Sequence, residues 1–228
     1  MDISIIVPAL NEEKLIGKCL GSLREQNFSG KYEIIVVDGH SEDRTVRIAR
    51  KYADKILTSP IRNVSFQRNL GAKYSKGNIL AFADADTVFE SDWLSKISEN
   101  FLNKDIVAMT GSLYPLEKNT PKKLYIIANK IQKFLIMNLN IPLFWGASCA
   151  FEKGAFFKIG GFNENLSMSE DHDISLRIRK HGKVFFNSKS IAYTSYRRFK
   201  KRGGWLTYII DGFYYLLFKK SKKYSSVR

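Results

Sequence analysis

The chain has 228 residues, of which 44% are hydrophobic and 26% are charged, and its formal net charge is +15. A chain of this length and composition forms one large or two small globular domains, which excludes a disordered or collagen-like protein. Its two cysteines, Cys19 and Cys149, stand among apolar neighbours, so we exclude a disulfide scaffold and expect a reducing compartment.

The first half of the chain alternates short apolar runs with helical patterns. Helices are expected to begin at Asn11 and at Ser41, whose side chains suit N-cap positions. Further helices are predicted over Phe66–Tyr74 and Asp92–Leu102. The runs predicted as strands are Ile3–Val7, Glu33–Val37, Lys55–Leu57, Ile79–Ala83 and Ile106–Thr110. This alternation predicts an α/β fold of the Rossmann-like type, with a mostly parallel central sheet flanked by helices.

The second half is less regular. Its longest helical pattern, Lys122–Leu139, has apolar positions that fit either the core or a membrane-facing surface. A small, apolar segment follows at Gly146–Phe151, and Ser169 can cap a helix over Glu170–Lys180. Two more strands are predicted, Lys183–Phe186 and Ile191–Tyr196.

Positive charge is concentrated in residues 196–228, which hold ten Lys or Arg and one acid, Asp211. These cations flank the aromatic segment Trp205–Phe218, which is too short to span a bilayer. We interpret this tail as an amphipathic helix that binds an anionic membrane surface; a final core helix with a solvated basic end is the alternative. No nucleic-acid motif accompanies the basic residues, so nucleic acid is not an expected partner. We therefore expect a folded domain over 1–195 and a membrane-binding tail over 196–228.

Carboxylates stand at the predicted carboxyl ends of strands, where open α/β sheets bind ligands. Asp84 and Asp86 directly follow the strand Ile79–Ala83, and two carboxylates at this spacing can hold Mg²⁺ or Mn²⁺ together with substrate phosphates. A polar turn is the alternative. Asp38 ends another predicted strand, where it can accept a hydrogen bond from a base or a ribose, or simply begin a helix.

A second acidic group, Glu170-Asp171-His172-Asp173, opens a predicted helix. One of its carboxylates can act as a general base, with His172 as a competing base; the alternative is that the acids only stabilise the helix dipole. Arg68 and the pair Arg197-Arg198 are candidates for phosphate contact, because a guanidinium can donate two parallel hydrogen bonds to phosphate. Solvated surface cations are the alternative for both.

Five motifs stand in a characteristic order along the chain: Ser4-Ile-Ile-Val-Pro-Ala-Leu-Asn-Glu-Glu13, Val36-Val-Asp-Gly-His-Ser-Glu-Asp-Arg-Thr45, Arg68-Asn-Leu-Gly-Ala72, Phe82-Ala-Asp-Ala-Asp86, and Gly160-Gly-Phe-Asn-Glu164 followed by Glu170-Asp171. Together they resemble the family 2 glycosyltransferases of the GT-A fold. The resemblance covers residues 2–195, the expected catalytic domain.

The resemblance implies an inverting transfer from a nucleotide-diphosphate sugar, such as a UDP- or GDP-sugar, assisted by Mg²⁺ or Mn²⁺. It implies that Asp86 is the metal ligand and that Asp171 is the catalytic base. The residues that it implies for nucleotide and donor binding are Pro8, Ala9, Asn11, Glu12, Asp38, Arg68 and Asp84. Those that it implies for the acceptor and sugar cleft are Gly146, Ala147, Ser148, Cys149 and Glu170.

Two departures from the family pattern bear on specificity. Gly39 stands where the family often has a second Asp, and the Gln-x-x-Arg-Trp motif of processive synthases is absent, so we expect single additions. The basic tail favours a lipid-linked acceptor at the cytoplasmic face of a membrane; a soluble acceptor is the alternative. No glycine-rich loop follows the first strand, which disfavours a sugar nucleotidyltransferase. The intact acidic set disfavours a non-catalytic binding module.

Overall fold

The computed structural model describes residues 2–166 and 168–197. The elements follow one another in the order β1 (Ile3–Ala9), α1 (Ile16–Arg24), β2 (Tyr32–Asp38), α2 (Thr45–Ala49), β3 (Lys55–Thr58), α3 (Val64–Lys73), β4 (Ile79–Ala83), β5 (Thr87–Phe89), α4 (Trp93–Asn100), β6 (Ile106–Pro115), α5 (Lys122–Leu139), β7 (Ser148–Glu152), α6 (Lys153–Lys158), α7 (Glu170–Ile178) and β8 (Lys183–Thr194).

The eight strands form one mixed sheet in the order β3-β2-β1-β4-β7-β6-β8-β5. The first four strands are parallel, because a helix connects each of them to the next. β7 lies between β4 and β6 and is antiparallel to both, and β5 is antiparallel to β8. The predicted α/β fold is confirmed, and the antiparallel strands make the sheet mixed.

The loops that bear the predicted site residues leave the same edge of this sheet. Ala9 at the end of β1 pairs with Asp38 at the end of β2. Ala83 at the end of β4 pairs with Ser148 at the start of the antiparallel β7. The loop before β7 therefore joins the loops after β1, β2 and β4 at this edge.

Aromatic packing on one face of the sheet also supports the site. The ring of Phe82 on β4 lies with its centroid 5.1 to 5.8 Å from those of Phe151, Phe156 and Phe162. Fully burying one such side chain contributes about 1.5–3 kcal/mol to stability. This cluster fixes Phe162, whose ring contacts the guanidinium of Arg68.

Two predicted helix starts are wrong. α1 begins at Ile16 and α2 at Thr45, four or more residues after the predicted caps. The N–H of Asn11 instead donates to Ser41 Oγ (2.9 Å), and the N–H of Glu42 donates to Asn11 Oδ1 (2.8 Å). The two side chains that were expected to cap helices therefore join two loops instead, and α1 and α2 begin several residues later.

Beyond these helix starts, the structure differs from expectation in β8 and in two short elements. β8 is one strand whose register against β6 shifts between Asn187 and Ile191, where two strands were predicted. The short elements β5 and α6 were not predicted. The predicted tail helix lies outside the described residues beyond Arg197.

Candidate active site

Arg68 on α3 lies at the centre of the candidate site, with 3% of its side chain exposed. Its Nη1 donates to Glu170 Oε1 (2.8 Å), and its Nη2 donates to Asp84 Oδ1 (2.9 Å) and to the carbonyl of Gly146 (3.3 Å). Burial alone would lower the pKa of Arg68, but the carboxylates of Asp84 and Glu170 outweigh it, so the pKa is raised. The guanidinium therefore stays charged and ties β4, α7 and the loop before β7 together.

Phe162 supports this guanidinium, which stacks over the ring at 5.1 Å from the centroid. The side-chain amide of Asn69 exchanges two hydrogen bonds with the backbone of Phe162, both 2.9 Å long. Gly161 has a φ of +68°, and a Cβ there would come within 2.6 Å of Asn69 Oδ1. A side chain at position 161 would displace the Asn69 amide from the backbone of Phe162. The Gly-Gly-Phe motif therefore requires glycine immediately before Phe162.

Asp171 in the first turn of α7 is held by backbone donors. The N–H of Gly146 donates to its Oδ2 (3.1 Å), and the N–H of His172 donates to its Oδ1 (2.9 Å). A Cβ on Gly146 would lie 3.0 Å from Arg68 Nη2 and 3.3 Å from Asp171 Oδ2. Gly146 thus lies between the guanidinium and the carboxylate, and it brings the predicted base close to the predicted donor-binding arginine.

Asp38 ends β2, and its two carboxylate oxygens have different surroundings. Its Oδ2 accepts from the N–H of Ser41 (3.0 Å), whereas its buried Oδ1 has no hydrogen-bond partner among the described residues. A buried oxygen without a donor is unfavourable, so this oxygen is available to a ligand. Beside it, Gln67 Nε2 donates to the carbonyls of Val37 (2.8 Å) and Ala9 (3.1 Å), which joins β2 to β1.

A second cation, Arg197, links Glu12 to Asp86. Its Nη2 lies 2.8 and 2.6 Å from the two carboxylate oxygens of Glu12, and 3.5 Å from Asp86 Oδ2. Glu12 is fixed further by its own N–H, which donates to Thr45 Oγ1 (2.7 Å). Both carboxylates are more than nine-tenths buried, so the guanidinium supplies their counter-charge. Arg198, the other predicted phosphate contact, lies outside the described residues.

Asp86, the predicted metal ligand, and Asp84, whose spacing from it also suits a metal site, lie in the turn after β4, and each contacts one of these guanidinium groups. In the part of the chain that the structure describes, no group of three or more His, Cys, Asp or Glu could hold a metal ion. Mg²⁺ and Mn²⁺ need few protein carboxylates when substrate phosphates complete their coordination. The two aspartates therefore fit such a cation together with a bound diphosphate, and they do not form an all-protein site.

The remaining predicted cleft residues lie at the start of β7. The N–H of Asp84 donates a hydrogen bond to the carbonyl of Ala147 (3.4 Å). Ser148 Oγ accepts from Trp93 Nε1 (3.0 Å), and Cys149 is buried, which raises the pKa of its thiol. Ser148 and Cys149 thus pack into the sheet, whereas Gly146 touches the two charged groups of the site.

Sequence reasoning missed three side chains that shape the site: Thr45, Gln67 and Phe162. Each stands beside or within a recognised motif, but its function depends on a partner far along the chain. Thr45 binds the backbone 33 residues earlier, and Gln67 reaches back 30 residues. Only the fold reveals these contacts.

No helix among the described residues is both long enough and apolar enough to cross a membrane. This holds for α5, which has 18 residues and four lysines.

Comparisons with known proteins bear on the family. The family model described as Glycosyl transferase family 2 matches residues 4–160. An uncharacterized glycosyltransferase of Haemophilus influenzae is 31% identical over 198 residues, which cover 77% of this chain and 61% of that protein. A Methanococcus voltae protein is 26% identical over 227 residues, which cover 86% of this chain and 67% of the relative. Its name is dolichyl N-acetyl-alpha-D-glucosaminyl phosphate 3-beta-D-2,3-diacetamido-2,3-dideoxy-beta-D-glucuronosyltransferase.

The fold has been seen in solved structures. The mannosyltransferase PcManGT from Pyrobaculum calidifontis, solved in complex with GDP-Man and Mn²⁺, matches with a TM-score of 0.73 at 19% identity. The match covers 97% of this chain and 65% of that one. This likeness confirms the expected GT-A-type fold.

Proposed function

The chain belongs to glycosyl transferase family 2, and from this premise we propose that it transfers a sugar from a nucleotide-diphosphate sugar to an acceptor hydroxyl or phosphate. The observation that carries the proposal is the arrangement around Arg68. The guanidinium bonds to Asp84, Glu170 and the carbonyl of Gly146, and the N–H of Gly146 bonds to Asp171. A cation and a backbone-held carboxylate thus lie side by side at the ligand-binding edge of the sheet.

Asp171 is the proposed general base. The N–H groups of Gly146 and His172 fix its carboxylate, and a base needs such positioning more than a large change in pKa. The acceptor oxygen attacks the anomeric carbon while its proton passes to Asp171. The bond from that carbon to the diphosphate breaks, and its electron pair leaves with the diphosphate. A single displacement of this kind inverts the anomeric configuration.

The donor side of the proposal rests on charge and on an available acceptor atom. Asp38 Oδ1, which is buried without a partner among the described residues, is the proposed acceptor for the base or ribose. Pro8, Ala9, Asn11, Glu12 and Asp84 are the proposed lining of the nucleotide pocket. Asp86 would hold Mg²⁺ or Mn²⁺, which would supply positive charge to stabilise the leaving diphosphate. Arg68 and Arg197 are the proposed cations for the diphosphate, in addition to pairing with their own carboxylates.

The proposed acceptor is lipid-linked. The Methanococcus relative carries dolichyl phosphate in its name, and residues 196–228 are rich in Lys, Arg and aromatic groups. We also propose that the protein acts at the cytoplasmic face of a membrane. A soluble acceptor is the alternative, and transfer that is equally efficient in the absence of lipid would favour it.

One experiment tests the base. Asp171→Asn should lower kcat by about 10²–10⁴-fold while leaving the Kd of the nucleotide unchanged, because only proton transfer is lost. Asp173→Asn is the matched control on the same helix, since Asp173 is paired with Arg177 outside the proposed site. If Asp171→Asn turned over substrate at the wild-type rate, Asp171 would not be the general base.

A second experiment tests the donor and the cation. UDP, GDP, CMP and dTDP are added to wild type and Asp86→Asn, with and without Mn²⁺, and Tm is measured. A ligand at about 100 times its Kd should stabilise the protein by about 2.7 kcal/mol, which raises Tm by several degrees. We expect one nucleotide to give an Mn²⁺-dependent shift that Asp86→Asn abolishes. No shift with any nucleotide would favour a non-catalytic module with this fold.

A further inference from the structure

α5 places its polar and apolar side chains in an unusual arrangement. On the side that packs against β6 and β8 it buries two amides beside Tyr125, Ala128 and Ile136. Asn129 exchanges hydrogen bonds with the backbone of Leu113 (2.9 and 3.1 Å), and Gln132 donates to the carbonyl of Leu143. Of the eleven large hydrophobic residues exposed in the described chain, seven lie on this helix: Leu124, Ile126, Ile127, Ile131, Phe134, Met137 and Leu139.

Four of these residues form a stripe along the outer side of α5: Leu124, Ile127, Ile131 and Phe134. Their spacing of three, four and three residues puts them on one side of a helix. Three of them are half exposed, at 50–55%. Soluble surfaces seldom keep so many large apolar groups together, so the stripe indicates a surface that binds something.

Positive charge accompanies this stripe. Lys123, Lys130 and Lys133 are exposed, and the helical period of 3.6 residues puts them along one flank of it. α5 contains no Asp or Glu. An apolar stripe bordered by lysines is typical of a helix that lies in the surface of a bilayer, because the apolar groups enter the acyl boundary while the ammonium groups meet phosphate.

We propose that the outer face of α5 is a docking surface for a membrane with anionic headgroups. Charge disfavours two other occupants. A second copy of the chain, related by a two-fold axis, would bring the same lysines face to face. Residues 198–228 contain nine Lys or Arg and one Asp, so they would also meet these lysines with like charge.

The position of α5 links this surface to the candidate active site. The helix ends at Leu139, and the loop that follows carries Gly146, whose N–H bonds to Asp171. Gln132 holds that loop to the helix at Leu143. One short loop therefore separates the docking face from the predicted acceptor cleft. The proposal goes beyond the proposed function, because docking requires neither donor nor cation.

A site-specific label tests the docking face in the full chain. The polarity-sensitive fluorophore NBD is attached to Ile131→Cys and, as a matched control, to Leu102→Cys, an exposed leucine outside α5; both native cysteines are buried. The vesicles contain phosphatidylcholine alone or mixed with phosphatidylglycerol. We expect a blue shift at position 131 with the anionic vesicles only, and none at position 102. No shift at position 131, or the same shift at both positions, overturns the proposal.

Vesicle sedimentation gives the second measurement. Ile131→Glu with Phe134→Glu should lower the partition coefficient for the anionic vesicles by at least about tenfold, since either side chain contributes that much when it leaves water. Leu102→Glu should bind as wild type, and both variants should keep the wild-type Tm because the changed side chains are exposed. Undiminished binding of the double variant would assign membrane affinity elsewhere and overturn the proposal.

The remaining outcomes identify other occupants. A label at position 131 that is already shielded without vesicles, in a dimer by light scattering, would assign the face to a second copy. Shielding in a monomer that disappears on truncation after Arg197 would assign it to residues 198–228. Nucleotide binding is measured on the same samples, so a failure of docking is distinguished from a failure of the proposed function.

Discussion

Replacing Arg68 with Met removes the guanidinium that lies between two carboxylates. The Arg68 side chain is 3% exposed, and those of Asp84 and Glu170 are 16% and 14% exposed. Removing one partner of a buried ion pair destabilises a protein by about 3–5 kcal/mol, because the remaining charge has no compensation. For a chain of this length, we expect a fall in Tm of about 6–20 °C.

Arg62→Met is the matched control, because Arg62 also pairs with a carboxylate but at the surface. The side chains of Arg62 and Glu42 are 48% and 75% exposed, so the loss should stay below about 1 kcal/mol. Urea unfolding followed by circular dichroism gives the free energy of unfolding of each variant by linear extrapolation. If Arg68→Met destabilised the protein no more than Arg62→Met, the reasoning would be refuted, since burial is what distinguishes the two pairs.

The same assay separates charge from packing. Adding Asp84→Asn and Glu170→Gln to Arg68→Met should recover part of the lost stability, because the uncompensated charges are then gone. If the free energy of unfolding did not recover, its loss would come instead from the missing contact between Arg68 and the ring of Phe162.

Three further predictions concern other parts of the molecule. Gly146→Ala should lower the free energy of unfolding by about 1–3 kcal/mol in urea, because its Cβ would press on Arg68 and Asp171; unchanged stability would contradict this. The hydrogen bond from Tyr193 to Glu90 raises the pKa of the phenol to about 12, so its stabilising effect is complete below the unfolded pKa of about 10 and is lost as pH rises towards 12. Tyr193→Phe should remove an ionisation near pH 12 from the phenolate absorbance, and a lost ionisation near pH 10 would argue against the hydrogen bond. Burial raises the pKa of both thiols, so Ellman's reagent should react with them only after unfolding, and fast reaction of the native protein would disprove their protection.

Segments with a strong periodic pattern could be predicted from the sequence alone. The strand Ile79–Ala83 and the helix Lys122–Leu139 have the predicted bounds, because their patterns are local. The starts of α1 and α2 could not be predicted, since Asn11 and Ser41 bond to each other's loops 30 residues away. Side chains that suit a helix cap also suit contacts between loops.

The site could be predicted in its residues but not in its pairings. The motifs single out Arg68, Glu12 and Asp86, whereas the ion pair between Arg197 and Glu12 exists only in the folded chain. The sequence also left open whether the apolar positions of Lys122–Leu139 face the core. The structure shows that the inner side of the helix buries Tyr125, Ala128 and Ile136 together with two amides, whereas Leu124, Ile127, Ile131, Phe134 and Met137 are exposed.

The ion pairs of the site have a consequence for the order of folding. Arg68 and Glu170 are 102 positions apart, and Arg197 and Glu12 are 185 positions apart. Contacts of such long sequence separation form slowly, because other contacts must first offset the entropy of closing the loop. A chain still emerging from the ribosome before Arg197 lacks the second pair, however well its first strands have formed. A ligand specific for this site would therefore select completed molecules from a refolding mixture, and its binding would report the end of folding.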